Sequence, residues 1–308
     1  MKTGIIQAEP SVDYHGNGAV SSSTLADMRV AGVVCPLNYY VRHVAKTAPR
    51  KKGAHFNIGI AAHLAILEGE AAFDAGCVMQ PETYKNEKGE VKPWHNGSNA
   101  CKAWAAGAAG RIILDREEAD LILAMANAIK SNPDACALTI GGEAEVTFRK
   151  EIAGLVLQCR VDKWHPNGAP WHGLKHPLIV DLKTCNTLEQ FEREFYFLRY
   201  NVRAEFYRLV TTEVLADLAG VPASELVPPT YAFVVVEKTV PHRVKVYTPD
   251  PESLEAGRRE VHADLLTLRE CRASGKWPSG TEGMHSIGLK TWQLAKSDAA
   301  NDAAMAAL

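Results

Sequence analysis

The spacing of the hydrophobic positions changes near the middle of the chain, and this change divides the predicted secondary structure. In the first half, apolar residues recur every three or four positions, as in Ile60, Leu64 and Leu67, which is typical of one face of a helix. Further on, short segments rich in β-branched residues alternate with turn residues. The pattern therefore predicts a mainly helical part, residues 1–140, followed by a part built on strands, residues 141–294.

Capping residues place the helices of the first part. Residues 20–52 predict two short helices, the first capped by Ser22 or Ser23 and the second beginning at Pro36. A further helix is expected to start at Asp115, where a capping-box pattern precedes an apolar run. His63 falls on a separate helix with the sequence GIAAHLAILEGE.

The remaining segments of low hydrophobicity predict loops. Residues 77–98 are rich in Pro, Gly, Asn and Lys, which is typical of a long loop. Residues 295–308 form an alanine-rich tail of low complexity, which we expect to be disordered. We expect residues 1–294 to form a single domain.

The second part reads as strands separated by helices. Three strands are predicted in EVTFRK, IAGLVLQCRVDKW and PLIVDLKT, with Asn167-Gly168 as the turn between the last two. One long amphipathic helix is expected over residues 187–219, ending at Gly220, and then a strand TYAFVVVEK with a hairpin partner RVKVY. A helix over residues 251–273 completes the pattern. The order predicts an α/β fold with a central mixed sheet flanked by helices.

Composition restricts the classes of protein to consider. Of the 308 residues, 46% are hydrophobic and 23% are charged, which is typical of a folded globular chain. Neither a membrane-spanning run nor a secretory signal is recognisable, so we expect a cytoplasmic protein. The formal net charge of −2 excludes a uniformly basic coat, so a nucleic acid would have to bind a local patch. The seven cysteines are scattered and never form C-x-x-C, which argues against a zinc site or an iron-sulfur cluster.

Three polar residues stand in otherwise apolar strands. Alternation along PLIVDLKT sends Asp181 and Lys183 to one face, and Asp162 ends the preceding apolar strand. A hairpin would bring the two carboxylates together, and buried charges are costly unless they pair or bind a metal. Converging carboxylates with a lysine suit magnesium and a phosphate substrate. The alternative is a structural ion pair between Asp181 and Lys183 on an edge strand.

These residues resemble the PD-(D/E)xK nuclease superfamily, and in particular its RecE-type exonuclease branch. The resemblance extends from SSSTL near residue 22 to KWP at 276–278. It depends on GIAAHLAILE (59–68), QCRVDK (158–163), IVDLKT (179–184) and YNVRAEFY (200–207). Its fold is the restriction-endonuclease-like core.

The resemblance implies roles for individual residues. Asp162 and Asp181 would be metal ligands, together with the main-chain carbonyl of Leu182 and with His63, and Lys183 would be the catalytic lysine. Without the resemblance, His63 would be interpreted as a helix histidine with a structural partner.

Other positions are left open. Glu143 or Glu145 could add a carboxylate, or could be exposed at a strand end. The branch commonly has Tyr-x-x-Gln after D-x-K, whereas this chain has Tyr200 and Arg203 in that pattern. Arg203 could therefore grip a DNA phosphate or lie on the helix surface.

A run of basic residues could contact DNA. Acidic residues are absent from the stretch, and a solvated surface is the alternative interpretation. Its members are Arg42, Lys46, Arg50, Lys51 and Lys52.

The resemblance also implies cofactors and partners. Mg2+ or Mn2+ would bind, two ions per site, with no zinc and no iron-sulfur cluster. The activity would be 5′-to-3′ digestion of linear double-stranded DNA, leaving 3′ single strands for a RecT-like single-strand annealing protein. The chain would form a ring of three or four copies in a bacterial host, encoded by a phage or prophage. Alternatives are an endonuclease on the same catalytic strand, or a DNA-binding scaffold whose site has decayed.

Overall fold

The computed structural model of the protein describes residues 1–49, 55–108, 110–284 and 286–296. The strands in chain order are β1 Gly4–Ile6, β2 Arg29–Val30, β3 Val33–Val34, β4 Cys77–Met79, β5 Thr83–Lys85, β6 Val91–Pro93, β7 Ile112–Leu114, β8 Glu143–Ile152, β9 Leu155–His165, β10 Leu178–Cys185, β11 Thr230–Glu237 and β12 Val244–Tyr247. The helices are α1 Ser11–Gly16, α2 Ser22–Ala26, α3 Pro36–Tyr39, α4 His55–His63, α5 Glu70–Gly76, α6 Asn99–Gly107, α7 Arg116–Ser131, α8 Pro133–Thr139, α9 Leu188–Phe197, α10 Tyr200–Ala219 and α11 Pro251–Ser274. Short π-helical turns, Tyr40–Val44 and Leu64–Glu68, continue α3 and α4.

A mixed sheet forms the centre of the molecule. In the described residues it has six strands in the order β1-β8-β9-β10-β11-β12, with β10 and β11 parallel and the other neighbours antiparallel. The predicted hairpin of β11 and β12 is confirmed. Helices cover both faces, so the predicted α/β class is confirmed as well.

Alternation along β10 divides the core into two layers. Ile179 packs on the face covered by α9, α10 and α11, while Val180 and Leu182 pack on the face covered by α4, α7 and α8. Each of these side chains is almost fully buried, which stabilises the fold by about 1.5–3 kcal/mol apiece. Asp181 and Lys183 therefore leave the strand on the same side as Ile179, as the pattern predicts. The strand itself is interior rather than an edge, since β9 and β11 flank it.

The predicted single helix over residues 187–219 is wrong. The chain forms α9 and α10 and turns between them at Arg199, whose φ of +55° lies in the left-handed region. The guanidinium of Arg199 donates to Glu260 and Asp264, both at 2.8 Å, and Asp264 also pairs with Arg29 at 2.8 Å. Acidic residues on α11, far along the chain, thus fix a break that local periodicity does not reveal.

Two other predictions need correction. Residues 77–98 are not a continuous loop: β4 pairs with β7, and β5 pairs with β6. These strands are only three residues long, too short for period-2 alternation to be recognised. The cap of α2 is Ser21, because its side chain accepts from the amide of Thr24, rather than Ser22 or Ser23.

Some predictions lie partly outside the described residues. The basic positions Arg50, Lys51 and Lys52 do so, as do residues 297–308 of the alanine-rich tail. The seven cysteines are all described, and they are free and mostly buried. Among the described helices, none is long and apolar enough to cross a membrane.

The contact between α10 and α11 depends on a glycine. A Cβ added at Gly257 would lie 2.5 Å from the backbone oxygen of Asn201. We expect Gly257→Ala to lower the free energy of unfolding by about 1–3 kcal/mol, because the helices must move apart. Gly59→Ala in α4 is the matched control: its Cβ would meet nothing within 4 Å, and we expect a gain of about 0.5–1 kcal/mol. Urea denaturation measures both, and an unchanged Gly257→Ala protein would contradict the assigned close contact.

Candidate metal centre

The two aspartates meet where strands β9 and β10 separate. The strands are paired up to Lys163 and Val180, and Asp162 and Asp181 come directly after these positions in the direction of the gap. The carboxylate of Asp162 accepts the backbone N–H of Leu182, the residue after Asp181, at 2.9 Å. Since both carboxylates are almost fully buried, the gap concentrates negative charge inside the protein.

His63 reaches this gap from the end of α4. Its Nε2 lies 3.1 Å from the carbonyl oxygen of Leu182, and its Nδ1 lies 3.8 Å from Asp162 Oδ2. Burial lowers the pKa of His63, but the negative charges of Asp162 and Glu145 outweigh it and raise that pKa above its ordinary value. The structure thus places the imidazole beside the Leu182 carbonyl and the Asp162 carboxylate, the groups that the resemblance assigns to the same metal site.

Glu145 joins the group through an unusual backbone conformation. Its φ of +53° lies in the left-handed region, and the pairing of β8 with β9 passes from Ala144 directly to Val146. One carboxylate oxygen lies 4.0 Å from His63 Nδ1, and the other lies 3.9 Å from Arg160 Nε. Glu143, the other candidate at this strand end, is exposed and accepts from Gln7 instead. Of the two glutamates, the structure brings only Glu145 to the centre.

Asp181 is held by donors on every side. Lys183 pairs with Oδ1, while Oδ2 accepts from Arg203 Nε at 2.9 Å and from the Tyr231 hydroxyl at 2.7 Å. Burial alone would raise the pKa of Asp181, but Arg203 and Lys183 hold it well below its ordinary value. Asp181 therefore stays ionised.

Asp162 has the opposite electrostatic surroundings. Burial and the neighbouring charge of Asp181 raise its pKa to about 7, although His63 opposes the shift. The carboxylate is thus short of positive charge in the protein alone. A cation bound beside it would relieve this deficit.

Lys183 lies next to these residues, and the ring of Tyr200 borders its ammonium group. Its Nζ is 3.4 Å from the Leu182 carbonyl oxygen and 5.7 Å from the ring centre of Tyr200. Tyr200 stacks on Phe191, and burial together with Asp181 raises its pKa to about 12. Tyr200 therefore offers a neutral ring face to the ammonium group.

Arg203 makes its contacts inside the protein, and its contact with DNA stays a prediction. It is only partly exposed, and besides Asp181 it donates to the Tyr207 hydroxyl at 2.9 Å and lies over that ring. Its partner Tyr207, and Tyr231, which donates to the same oxygen of Asp181, were not recognised from the sequence. The spacing of four between Arg203 and Tyr207 on one helix is a signal that could have found the first of them.

The basic residues near α3 lie apart from this set of contacts. Arg42 donates to Asn38 at 3.0 Å and lies 3.7 Å from Asp27. Lys46 follows the π-helical turn and is exposed. The structure describes these two positions of the basic run and leaves their contact with DNA as a prediction.

The donors that converge fit a divalent cation. One ligand atom from each of His63, Glu145 and Asp162 lies within 4.8 Å of the others, and the Leu182 carbonyl is next to them. Carboxylate and carbonyl oxygens suit a hard cation such as Mg2+, and an imidazole also accommodates Mn2+. We refer to these four residues as the metal centre.

Comparisons with known proteins identify the family of this chain. Residues 21–289 match the family described as PDDEXK-like domain of unknown function, DUF3799. Among solved structures, a candidate exonuclease from Eubacterium rectale is similar, with a TM-score of 0.59 at 12% identity over 94% of this chain and 98% of that one. At this identity the likeness shows the fold alone. The search of curated proteins found no match.

Proposed function

Because the chain belongs to the PDDEXK-like family DUF3799, and so to the PD-(D/E)xK nuclease superfamily, we propose that it is a metal-dependent exonuclease acting on linear double-stranded DNA. The observation that carries the proposal is the convergence of His63, Glu145, Asp162 and the Leu182 carbonyl beside the Lys183 ammonium. The resemblance of the sequence to RecE-type exonucleases supports the choice of an exonuclease over other nucleases.

The metal centre would hold Mg2+ or Mn2+. Such an ion supplies charge stabilisation at the phosphoryl group and acidifies bound water. The residues present fit it, because two carboxylates, an imidazole and a main-chain carbonyl oxygen converge there. Phosphodiester hydrolysis is among the slowest uncatalysed reactions, so both the ion and the protein must contribute.

The side chains of the protein have separate tasks in this proposal. Lys183 donates hydrogen bonds to a phosphate oxygen and stabilises the charge that develops there. Asp181 keeps Lys183 in place, and Tyr200 limits the directions in which the ammonium can move. His63 and Asp162 are oriented by the carbonyl and the amide of Leu182, so a single residue of β10 aligns both.

We further propose the finer properties that the resemblance implies. The enzyme would digest from 5′ ends, leave 3′ single strands and supply a RecT-like annealing protein, working as a ring in a bacterial cell that carries a phage or prophage. Arg42 and Lys46, with Arg50, Lys51 and Lys52, would contact phosphates of the duplex.

The activity is tested with two forms of the same DNA. We expect purified protein to release nucleotides from a linear duplex in Mg2+, to stop when EDTA is added, and to leave covalently closed circular DNA intact. A 5′ label should be released before a 3′ label. Nicking of the circle would indicate an endonuclease, and binding of the linear duplex without cutting would indicate a scaffold; either result would contradict the proposal.

A further inference from the structure

Asp181 stands between two cationic side chains, and this limits what it can bind. How many cations the metal centre takes, a question that rests on the proposed function, depends on the two oxygens of this carboxylate.

The two oxygens of Asp181 are engaged differently. Oδ2 accepts two hydrogen bonds, from Arg203 Nε at 2.9 Å and from the Tyr231 hydroxyl at 2.7 Å. An oxygen of a carboxylate has about two lone-pair positions, so Oδ2 has none left for a cation. Oδ1 is paired with Lys183, whose flexible stem can release it.

Arg203 cannot turn away from Oδ2 as Lys183 can from Oδ1. A second guanidinium nitrogen donates to the Tyr207 hydroxyl at 2.9 Å, and the guanidinium carbon lies 4.9 Å from the centre of that ring. Tyr207 itself is buried on α10, one turn beyond Arg203. A planar group held at two points, with a charge that proteins do not remove, is a fixed positive charge.

The remaining donors are sufficient for one ion. His63, Glu145 and Asp162 lie together at the gap, with the Leu182 carbonyl beside them. A second ion would need further oxygen ligands. Asp181 lies beside Asp162 at the gap, but its Oδ2 already accepts two hydrogen bonds.

We propose that Arg203 restricts the metal centre to one divalent cation per chain. It does so by occupying Oδ2 of Asp181 together with Tyr231, and by placing a permanent positive charge beside that oxygen. Arg203 is thus a positioning residue that sets the metal stoichiometry, rather than a residue that contacts the DNA.

Metal binding to the intact chain tests this without any reaction. We expect isothermal titration with Mn2+, checked by electron paramagnetic resonance of free Mn2+, to give one ion per chain for the natural protein. Arg203→Met removes both the charge and the donor to Oδ2, and we expect it to bind two. Arg203→Lys keeps the charge and should bind one. Tyr231→Phe removes a neutral donor to the same oxygen and should also bind one.

Several results would overturn the proposal. Two ions in the natural protein would do so on their own, and this measurement holds even if Arg203→Met fails to fold. One ion in a folded Arg203→Met protein, or two in Arg203→Lys, would show that Arg203 does not set the number. Circular dichroism of each variant establishes folding.

The same samples separate this proposal from the proposed function. Protein that binds one Mn2+ per chain but leaves linear duplex intact would contradict the exonuclease and support the role of Arg203. Protein that cuts the duplex while binding two ions would do the reverse.

Discussion

Lys183→Met is expected to lower the rate of linear duplex hydrolysis by about three orders of magnitude, since a single well-placed donor to a developing charge contributes about 10²–10³-fold or more. Methionine keeps the length of the stem and its contact with Tyr200 but cannot donate a hydrogen bond. The fold should persist, because Asp181 retains Arg203 and Tyr231 as partners. Release of acid-soluble nucleotide at saturating Mg2+ measures the loss.

The control for this variant is Lys245→Met on β12. Lys245 is exposed and pairs with Glu192 at the surface, where an ion pair contributes at most about 1 kcal/mol. We expect this variant to keep its activity and its unfolding midpoint. Activity of Lys183→Met within tenfold of the natural protein would exclude Lys183 from the chemistry.

Asp181→Ala is expected to remove activity and also to destabilise the protein. Its loss leaves Arg203 in a partly buried position without a counterion, and removing one partner of a buried pair costs about 3–5 kcal/mol. Because Arg203 retains some exposure, we expect about 3 kcal/mol, the lower end. Urea denaturation measures the free energy of unfolding.

A second substitution distinguishes the two effects. In Asp181→Ala with Arg203→Met, both charges are absent and an apolar side chain fills the space, so we expect most of the lost stability to return. Activity should stay absent, because the carboxylate is still missing. If the double variant is no more stable than Asp181→Ala, the pair between Asp181 and Arg203 is not the source of the loss.

The elements that the sequence predicted well are those with strong local signals. The capping box of Asp115 and the left-handed stop at Gly220 are both present. Alternation in PLIVDLKT correctly assigned the faces of β10, because successive side chains of a strand point to opposite faces and a shift by one residue would exchange them. Local patterns therefore identified both strand β10 and the side on which its charges project.

Features that depend on distant partners could not be predicted. The turn at Arg199 is set by acidic residues on α11, and the helical spacing on either side of it continues as if there were no break. Tyr231 reaches Asp181 because β11 pairs with β10 in a register that places Asp181 opposite Phe233. Register between strands far apart in the chain is decided by packing, so no spacing within the sequence indicates it.

The candidate site shows the same division. The resemblance pointed to the residues on β9 and β10 and to His63, which the structure places together. It left Glu143 and Glu145 as equal candidates, because residues two apart on a regular strand point to the same face. The left-handed backbone conformation that brings Glu145 to the centre depends on the tertiary structure, so the local sequence does not indicate it.

The left-handed conformation of Glu145 creates a conflict between the stability of the protein and its catalysis. A non-glycine residue in the left-handed region costs about 1–3 kcal/mol, and glycine at position 145 would remove the cost. Glycine would also delete a ligand of the metal centre. Selection for a sturdier protein and selection for a working enzyme thus pull this position in opposite directions, and a heat-resistant descendant that keeps the glutamate would have to compensate elsewhere.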